Sequence, residues 1–260
     1  MSESEPVLVR EQRGAVLVLR LNRPEARNAL NMELIAQFGR AIVDAETDPG
    51  TRAVVLTGTG DRAFCSGMDL AAFASGEAPT PEQMDGLAVF GRFIKGEISV
   101  PLVAAINATA VAGGFELLMG CDVVVASSEA KFGLPEVKRG LFAAGGGIML
   151  ATRIPQAAAL EMALTGDYID AERAYALGLV NQIVAPSEVL DNAIAMAERI
   201  ARNGPLGLQA TKELVRLAVT DSAAAQVKLG EWQPLVFGSE DAKEGATAFI
   251  EKRDPEWKGR

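Results

Sequence analysis

The residues best placed to do chemistry lie around Gly113-Gly114, a glycine pair between a predicted strand, 101–106, and a predicted helix, 115–120. Glycines at such a junction let the backbone approach a ligand, and free N–H groups at a helix start attract negative charge. Glu116 would lie in the first turn of this helix. Donors beside an acid/base carboxylate are what a site that forms and protonates an enolate requires. The alternative interpretation is that Glu116 only complements the helix dipole.

The elements that must position these residues follow from the apolar pattern. Short apolar segments around Arg13-Gly14 predict a β-hairpin, and Asn31 is a good N-cap for the helix that follows. Strands are predicted at 7–10, 15–21, 53–57, 101–106, 122–126 and 179–184. Helices are predicted at 32–46, 84–97, 115–120, 148–153, 157–165, 171–177, 188–202, 205–220, 222–229 and 241–252. The segments 58–70 and 107–112 are interpreted as a loop and a turn.

The domain organisation follows from the point at which strands stop alternating with helices, near Pro186. We predict an α/β core over residues 1–195, which carries the active site, and a helical C-terminal region over 196–260. The longest apolar run, 100–120, is interrupted by Asn107, glycines and Glu116. This pattern favours a buried catalytic segment over a membrane span.

Composition excludes several classes of protein. The 260 residues contain no histidine, so Ser–His–Asp and Cys–His machinery and HExxH zinc sites are ruled out. A net charge of −9 without clustered Lys or Arg argues against nucleic-acid binding. Cys65 and Cys121 are too few for a disulfide framework, and the acidic N-terminus is not a signal peptide. We expect a cytoplasmic, non-membrane protein with no metal and no separate cofactor.

Seven segments, in order and at matching spacing, resemble the crotonase (enoyl-CoA hydratase/isomerase) superfamily. Each motif is weakly specific, but together they span nearly the whole chain. They are NRPEARNAL at 22–30, AFCSGMDL at 63–70, AGGFEL with CD at 112–122, KFGLPEVKRG at 131–140, GGG at 145–147, LTGDYIDAERAYALGLVN at 164–181 and EGATAFIEKR at 244–253.

The resemblance implies an α/β fold, a crotonase-like spiral of repeated ββα units with a C-terminal helical trimerisation region. It implies a homo-oligomer, either a trimer or a dimer of trimers, and acyl-CoA thioesters as substrates. It also places an oxyanion hole for the thioester oxygen at the backbone N–H groups of Met68 and Gly113. Because these donors belong to the main chain, methionine at 68 should not damage the hole.

The acid/base carboxylates of enoyl-CoA hydratases correspond by resemblance to Glu116 and Glu136. Adding water to an α,β-enoyl thioester needs a carboxylate that activates water at Cβ and an acid that protonates Cα. The resemblance therefore implies an enoyl-CoA hydratase that converts a trans-2-enoyl-CoA reversibly into a 3-hydroxyacyl-CoA. The alternative interpretation of Glu136 is an acid at a helix start after Pro135.

The resemblance also implies a coenzyme A site. Arg27 would contact a phosphate, and the backbones of Ala26 and Ala29 would lie at the adenine. A solvated loop arginine is the alternative for Arg27. The residues expected to line the pantetheine and thioester are Ser66, Gly67, Met68, Asp69, Leu70, Gly113 and Gly114. Phe249 and Lys252 match positions that often complete such a site, and glycines 145–147 are interpreted as close backbone packing beside the acyl pocket.

Other functions remain open at this stage. Ala143-Ala144 and Ala112 depart from the residues that standard hydratases often carry. The segment 132–147 is similar to the branch that contains carnitinyl-CoA dehydratase-like proteins. An enoyl-CoA isomerase would generally use a single acid/base group, so the glutamate pair argues against isomerisation as the sole activity. A catalytically silent acyl-CoA-binding protein would have no need of two desolvated carboxylates.

Overall fold

The computed structural model describes residues 5–69 and 78–260. Leu70, predicted to line the thioester, lies outside the described residues. The larger sheet has the strand order β1-β2-β3-β5-β7-β10. Its first pair is antiparallel and the other neighbours run parallel. The strands are β1 Leu8–Arg13, β2 Val16–Leu21, β3 Ala53–Gly58, β5 Leu102–Ile106, β7 Val123–Ser127 and β10 Gln182–Val184.

A smaller sheet positions the candidate site. Its order is β4-β6-β8-β9, from strands β4 Ala63–Cys65, β6 Thr109–Val111, β8 Lys131–Gly133 and β9 Ile169–Asp170. The interpretation of 58–70 as a loop and of 107–112 as a turn was therefore wrong in part, because each contains a three-residue strand. Such short segments do not span enough residues for a period of two to be recognised.

Nine helices are described in these ranges. They are α1 Met32–Thr47, α2 Pro81–Lys95, α3 Gly113–Gly120, α4 Gln156–Thr165, α5 Ala171–Ala176, α6 Val189–Ala201, α7 Pro205–Thr220, α8 Ser222–Phe237 and α9 Glu240–Glu251. The Asn31 side chain accepts a hydrogen bond from Leu34 N–H and so caps α1, as predicted. Helix α8 continues through Pro234 beyond its predicted end at 229. The predicted helix 148–153 is a 3₁₀ helix, Gly147–Thr152.

The core lies on both faces of the larger sheet. Alternate residues of β3 point to opposite faces, so that Val54 packs with α1 and α3 residues while Val55 packs with α6 residues. Strands buried on both faces are continuously apolar, which is why 53–57 could be recognised from sequence. Helix α6 runs through the predicted boundary at 195/196 and packs on this sheet. The division into two domains stays a prediction.

None of the helices in the described ranges is long and apolar enough to cross a membrane.

Candidate active site

Three neighbouring strands of the smaller sheet deliver the candidate residues to one edge. Strands β4, β6 and β8 are parallel, with Cys65 opposite Ala110 and Val111 opposite Gly133. The chain leaves β4 into Ser66–Asp69, leaves β6 into helix α3, and leaves β8 into the 3₁₀ helix Pro135–Arg139. Because carboxyl ends of parallel strands meet at the same edge, these segments lie side by side.

The Met68 N–H points away from Leu30, the residue with which Met68 forms a parallel β-bridge. Leu30 N–H donates to Gly67 O at 2.8 Å, and Asp69 N–H donates to Leu30 O at 2.9 Å. In this parallel bridge Leu30 bonds the residues on either side of Met68, so the Met68 N–H points to the opposite side. Gly113, the first residue of α3, has an N–H without an acceptor inside the helix. Both predicted hole donors are thus unpaired within the described part of the chain.

Close packing explains the glycines between strand and helix. A Cβ on Gly67, whose φ is +100°, would lie 3.1 Å from Gly113 N and 2.7 Å from Ala112 Cβ. A Cβ on Gly114 would collide with the backbone carbonyl of Cys65. Glycine at these positions therefore lets the Met68 loop and the start of α3 approach each other.

Ala112 adopts a conformation that L-residues rarely occupy, with φ +52° and ψ −130°. Its N–H donates to Gly133 O at 3.0 Å, and its carbonyl accepts from Phe115 and Glu116 N–H. The backbone strain lies one residue before the predicted hole donor Gly113, and strain of this kind is concentrated at functional sites.

Glu116 is a carboxylate in a nearly closed environment, with 6% of its surface exposed. Gly147 N–H donates to Glu116 Oε1 at 2.9 Å. Burial raises the pKa of the Glu116 carboxyl, the Gly147 and Gly145 amides oppose that rise, and the charge of Glu136 adds to it. The Glu136 contribution means that the charge of Glu136 reaches the Glu116 carboxyl.

Glu136 lies in the first turn of the 3₁₀ helix Pro135–Arg139 and is half-buried. Its Oε2 atom is buried, and no described residue bonds to it. Burial raises the pKa of the Glu136 carboxyl, while its own backbone N–H and the charge of Arg139 oppose the rise. A buried acceptor without a partner in the protein is suited to bonding a water molecule or a ligand.

The loop at 22–30 is tied to the Met68 loop. Arg23 forms an ion pair with Asp69 at 2.9 Å and donates to Ala29 O at 2.5 Å. Asn28, fully buried at φ +55°, donates to Thr59 O and Ala63 O and accepts from Arg23 N–H. Neither Arg23 nor Asn28 was predicted from sequence to have a role. The sequence signal that could have indicated a role was the presence of these polar side chains in the Pro-containing loop 22–30.

This arrangement brings most of the predicted coenzyme A residues together. Arg27 is exposed, and its carbonyl accepts from Ser66 N–H at 3.1 Å. Ala26, at the end of the 3₁₀ helix Pro24–Ala26, and Ala29 lie on the same loop. Phe249 is on α9 and Lys252 follows the last residue of this helix, and among the described residues no hydrogen bond or ion pair joins them to this loop. The Phe249 side chain is 86% exposed.

Glycines 145–147 were predicted to allow close backbone packing, and two of them also contact the Glu116 carboxylate. Gly147 supplies the donor to Glu116, and a Cβ on Gly145 would collide with Glu116 Oε2. The sequence carried a signal for this contact, three consecutive glycines, but no spacing that linked them to Glu116.

A family model described as enoyl-CoA hydratase/isomerase matches residues 11–260. The chain belongs to this family. Carnitinyl-CoA dehydratase from Proteus mirabilis (strain HI4320) is 39% identical over 255 residues, which cover 95% of this chain and 97% of that protein.

Solved structures agree with this assignment. The chain is similar to an enoyl-CoA hydratase from Mycobacterium tuberculosis H37Rv, with 45% identity, a TM-score of 0.89 and coverage of 98% of this chain and all of the other. An enoyl-CoA hydratase from Mycobacterium marinum shows 44% identity, a TM-score of 0.91 and the same coverage. The crotonase fold predicted from sequence is confirmed, and at the level of the family the chain is a hydratase or dehydratase.

Proposed function

We propose that this protein adds water reversibly to a trans-2-enoyl-CoA and forms the 3-hydroxyacyl-CoA through an enolate. The observation that carries the proposal is the pair Glu116 and Glu136. Burial raises the pKa of both carboxyls, and the charge of one raises the pKa of the other. Two carboxyls whose proton affinities depend on each other are suited to sharing the acid and base roles.

The placement of the donors and the carboxylates supports the following course of reaction. The thioester oxygen accepts from the Met68 and Gly113 N–H groups, which stabilise the negative charge that develops on it. One carboxylate removes a proton from water as the water oxygen bonds to Cβ. The enolate then takes a proton at Cα from the carboxyl pair. The unpartnered Glu136 Oε2 supports binding of the water there, while the donation from Gly147 orients Glu116.

The test is steady-state loss of the conjugated thioester absorbance of crotonyl-CoA, by the wild type and by Glu116→Gln and Glu136→Gln. Glutamine keeps the shape of the side chain but cannot take a proton. We expect kcat to fall by roughly 10²-fold or more in both variants. Glu129→Gln is the matched control, because Glu129 is exposed between β7 and β8 and should leave kcat unchanged.

A fall in only one of the two variants would favour a single-base isomerase. Binding of acyl-CoA without turnover across a panel of chain lengths would overturn the proposal in favour of a silent binder.

A second candidate substrate is carnitinyl-CoA, because a relative of that name is 39% identical over most of both chains. Dehydration of carnitinyl-CoA would use the same two carboxylates and the same enolate in the reverse direction. Comparing kcat/KM for crotonyl-CoA hydration and carnitinyl-CoA dehydration decides between them, since this ratio measures relative transition-state stabilisation.

The exposed apolar surface of α7–α9 supports association of this chain with copies of itself. The residues concerned are Val215, Val219, Val227, Leu235, Phe237, Phe249 and Ile250, each at least 61% exposed. Large exposed apolar patches are commonly interfaces. Analytical ultracentrifugation is expected to show a trimer or a dimer of trimers, and a monomer at micromolar concentration would contradict this part of the proposal.

A further inference from the structure

The C-terminal end of α3, the helix that carries Glu116, is bound by two arginines from different parts of the chain. Arg153 Nη1 donates to Met119 O at 3.2 Å and to Cys121 O at 3.0 Å. Arg216 Nη2, from α7, donates to Gly120 O at 3.1 Å and Cys121 O at 2.9 Å. Cations at a helix C-terminus pair its free carbonyls and complement its dipole. The proposed reaction uses neither arginine.

The negative partner of this cluster is Asp122. Its carboxylate accepts from Arg216 Nη2 at 2.8 Å, from Lys212 Nζ at 2.8 Å and from Leu102 N–H at 2.8 Å. Among the described residues, Arg153 forms no ion pair with Asp122. Within the described part of the chain, the hydrogen-bonded partners of the Arg153 side chain are therefore backbone carbonyls, whereas Arg216 also binds a carboxylate.

Arg153 also occupies a special place in the chain. The 3₁₀ helix Gly147–Thr152 begins with the residue that donates to Glu116 and is followed directly by Arg153. We call residues 147–153 the brace. One end of the brace is bonded to the Glu116 carboxylate and the other to the last carbonyls of the same helix. Arg153 thus ties the far end of the brace to the C-terminal end of α3.

We propose that Arg153 is a positioning residue for Glu116, which acts through the brace by holding the Gly147 N–H on Glu116 Oε1. This inference rests on the proposed function. Without the guanidinium, the Met119 carbonyl loses the hydrogen bond from Arg153, and the brace loses its bond to the C-terminal end of α3. The Gly147 N–H then no longer holds the carboxylate in one orientation.

The direction of the effect on Glu116 follows from its surroundings. The Gly147 N–H favours the ionised carboxylate, so its withdrawal raises the pKa of Glu116 further. Among the described residues, Glu136 is the one charged side chain recorded as acting on that pKa, and it acts in the same direction. Arg216 offers a matched control, because it binds the same helix end but lies on α7 and forms no hydrogen bond with the brace.

The experiment compares Arg153→Met, Arg153→Lys and Arg216→Met by thermal unfolding and by the pH profile of kcat for crotonyl-CoA hydration. Both Met variants should lower Tm. Arg153→Met is expected to lower kcat by about tenfold with little change in KM, because a small misplacement of an acid/base group slows chemistry. Its apparent pKa values should move to higher pH. Arg216→Met should keep the wild-type profile, and Arg153→Lys should restore part of kcat.

A second measurement does not depend on turnover. The carboxyl of Glu116 is titrated by ¹³C NMR in labelled wild type and in the same variants, with Glu116→Gln used for assignment. A rise of its pKa in Arg153→Met but not in Arg216→Met supports the proposal. Equal kcat, equal profiles and an unchanged Glu116 titration in the two Met variants would overturn it. Absence of turnover by wild type would contradict the proposed function alone, since the titration still decides the role of Arg153.

Discussion

At its N-terminal end, helix α3 presents the Gly113 N–H, which is bonded by none of the described residues, the strained Ala112 and a buried carboxyl, Glu116. At its C-terminal end, Met119, Gly120 and Cys121 carbonyls accept from Arg153 and Arg216, and Asp122 balances the charge. The first end holds groups that cost free energy to bury or leave unpaired, and the second pairs its groups with one another. The two ends of this eight-residue helix thus differ: one offers N–H donors to a ligand, and the carbonyls of the other are bonded by side chains.

The largest effect is expected from removing the negative charge of Asp122, which lies at the C-terminal end of α3 and pairs with Lys212 and Arg216. Asp122→Asn leaves Lys212, whose side chain is 7% exposed, and Arg216 without their anion. We expect a loss of about 3–5 kcal/mol in the free energy of unfolding, measured by urea denaturation at fixed protein concentration. Asp167→Asn is the control, because its ion pair with Lys138 is largely exposed and should contribute under about 1 kcal/mol. Equal losses of unfolding free energy in the two variants would show that the ion pairs of Asp122 contribute no more to stability than an exposed ion pair.

A second change disturbs the N-terminal end of α3, where Glu116 lies. Gly145→Ala would push a Cβ against Glu116 Oε2, so the carboxylate must move. We expect kcat for crotonyl-CoA to fall about tenfold or more. Gly91→Ala, on α2, has open space around the added Cβ and should leave kcat unchanged. A Gly145→Ala enzyme with wild-type kcat would contradict a tight fit around Glu116.

The third prediction concerns pH. A carboxyl whose pKa is higher in the folded than in the unfolded state stabilises the fold at low pH, and this contribution is lost as pH rises through the folded pKa. Burial raises the pKa values of both Glu116 and Glu136, so ionisation of these carboxyls destabilises the folded state. The double variant Glu116→Gln/Glu136→Gln should have a Tm a few degrees above wild type at pH 8. The difference should shrink near pH ~4, below the usual glutamate pKa. A pH-independent difference would refute this account.

The smallest effect is expected at Ala112. Glycine adopts φ +52° without strain, so Ala112→Gly should raise the free energy of unfolding by up to about 1 kcal/mol, after the entropic cost of glycine. Ala157→Gly, in the exposed part of α4, should instead lower it by about 1 kcal/mol. Two losses of similar size would show that Ala112 is not strained.

Sequence patterns predicted the long elements well and the small sheet poorly. The cap at Asn31, the hairpin of β1 and β2 and the buried strand β3 are confirmed, because each is a local signal that extends over several residues. Strands β4, β6, β8 and β9 were missed, since two or three residues do not display a period. Helix α8 outlasts its predicted end because Pro234, a strong breaker signal, is accommodated within it.

The candidate site divides in the same way. Glu116, Glu136, Met68 and Gly113 could be named from motifs, and the structure places them at the ends of three adjacent strands. Their catalytic roles stay predictions. The donation from Gly147 to Glu116 and the Arg23–Asp69 ion pair join residues 31 and 46 positions apart, so no local pattern could indicate them. Phe249 and Lys252 were grouped with the coenzyme A loop by resemblance, yet within this chain they lie on helix α9 and at its C-terminal cap.

By itself, the sequence determined the absence of imidazole chemistry, the acidic charge and the family, because these depend on composition and on ordered motifs. Tertiary structure alone decided which groups are unpaired and which are anchored. Burial raises the pKa values of Glu116 and Glu136, and the charge of Glu136 raises that of Glu116 further. Arginines that are distant in the sequence bind the carbonyls at the C-terminal end of α3. Such properties depend on distances between residues far apart in the chain, and these distances exist only once the chain has folded.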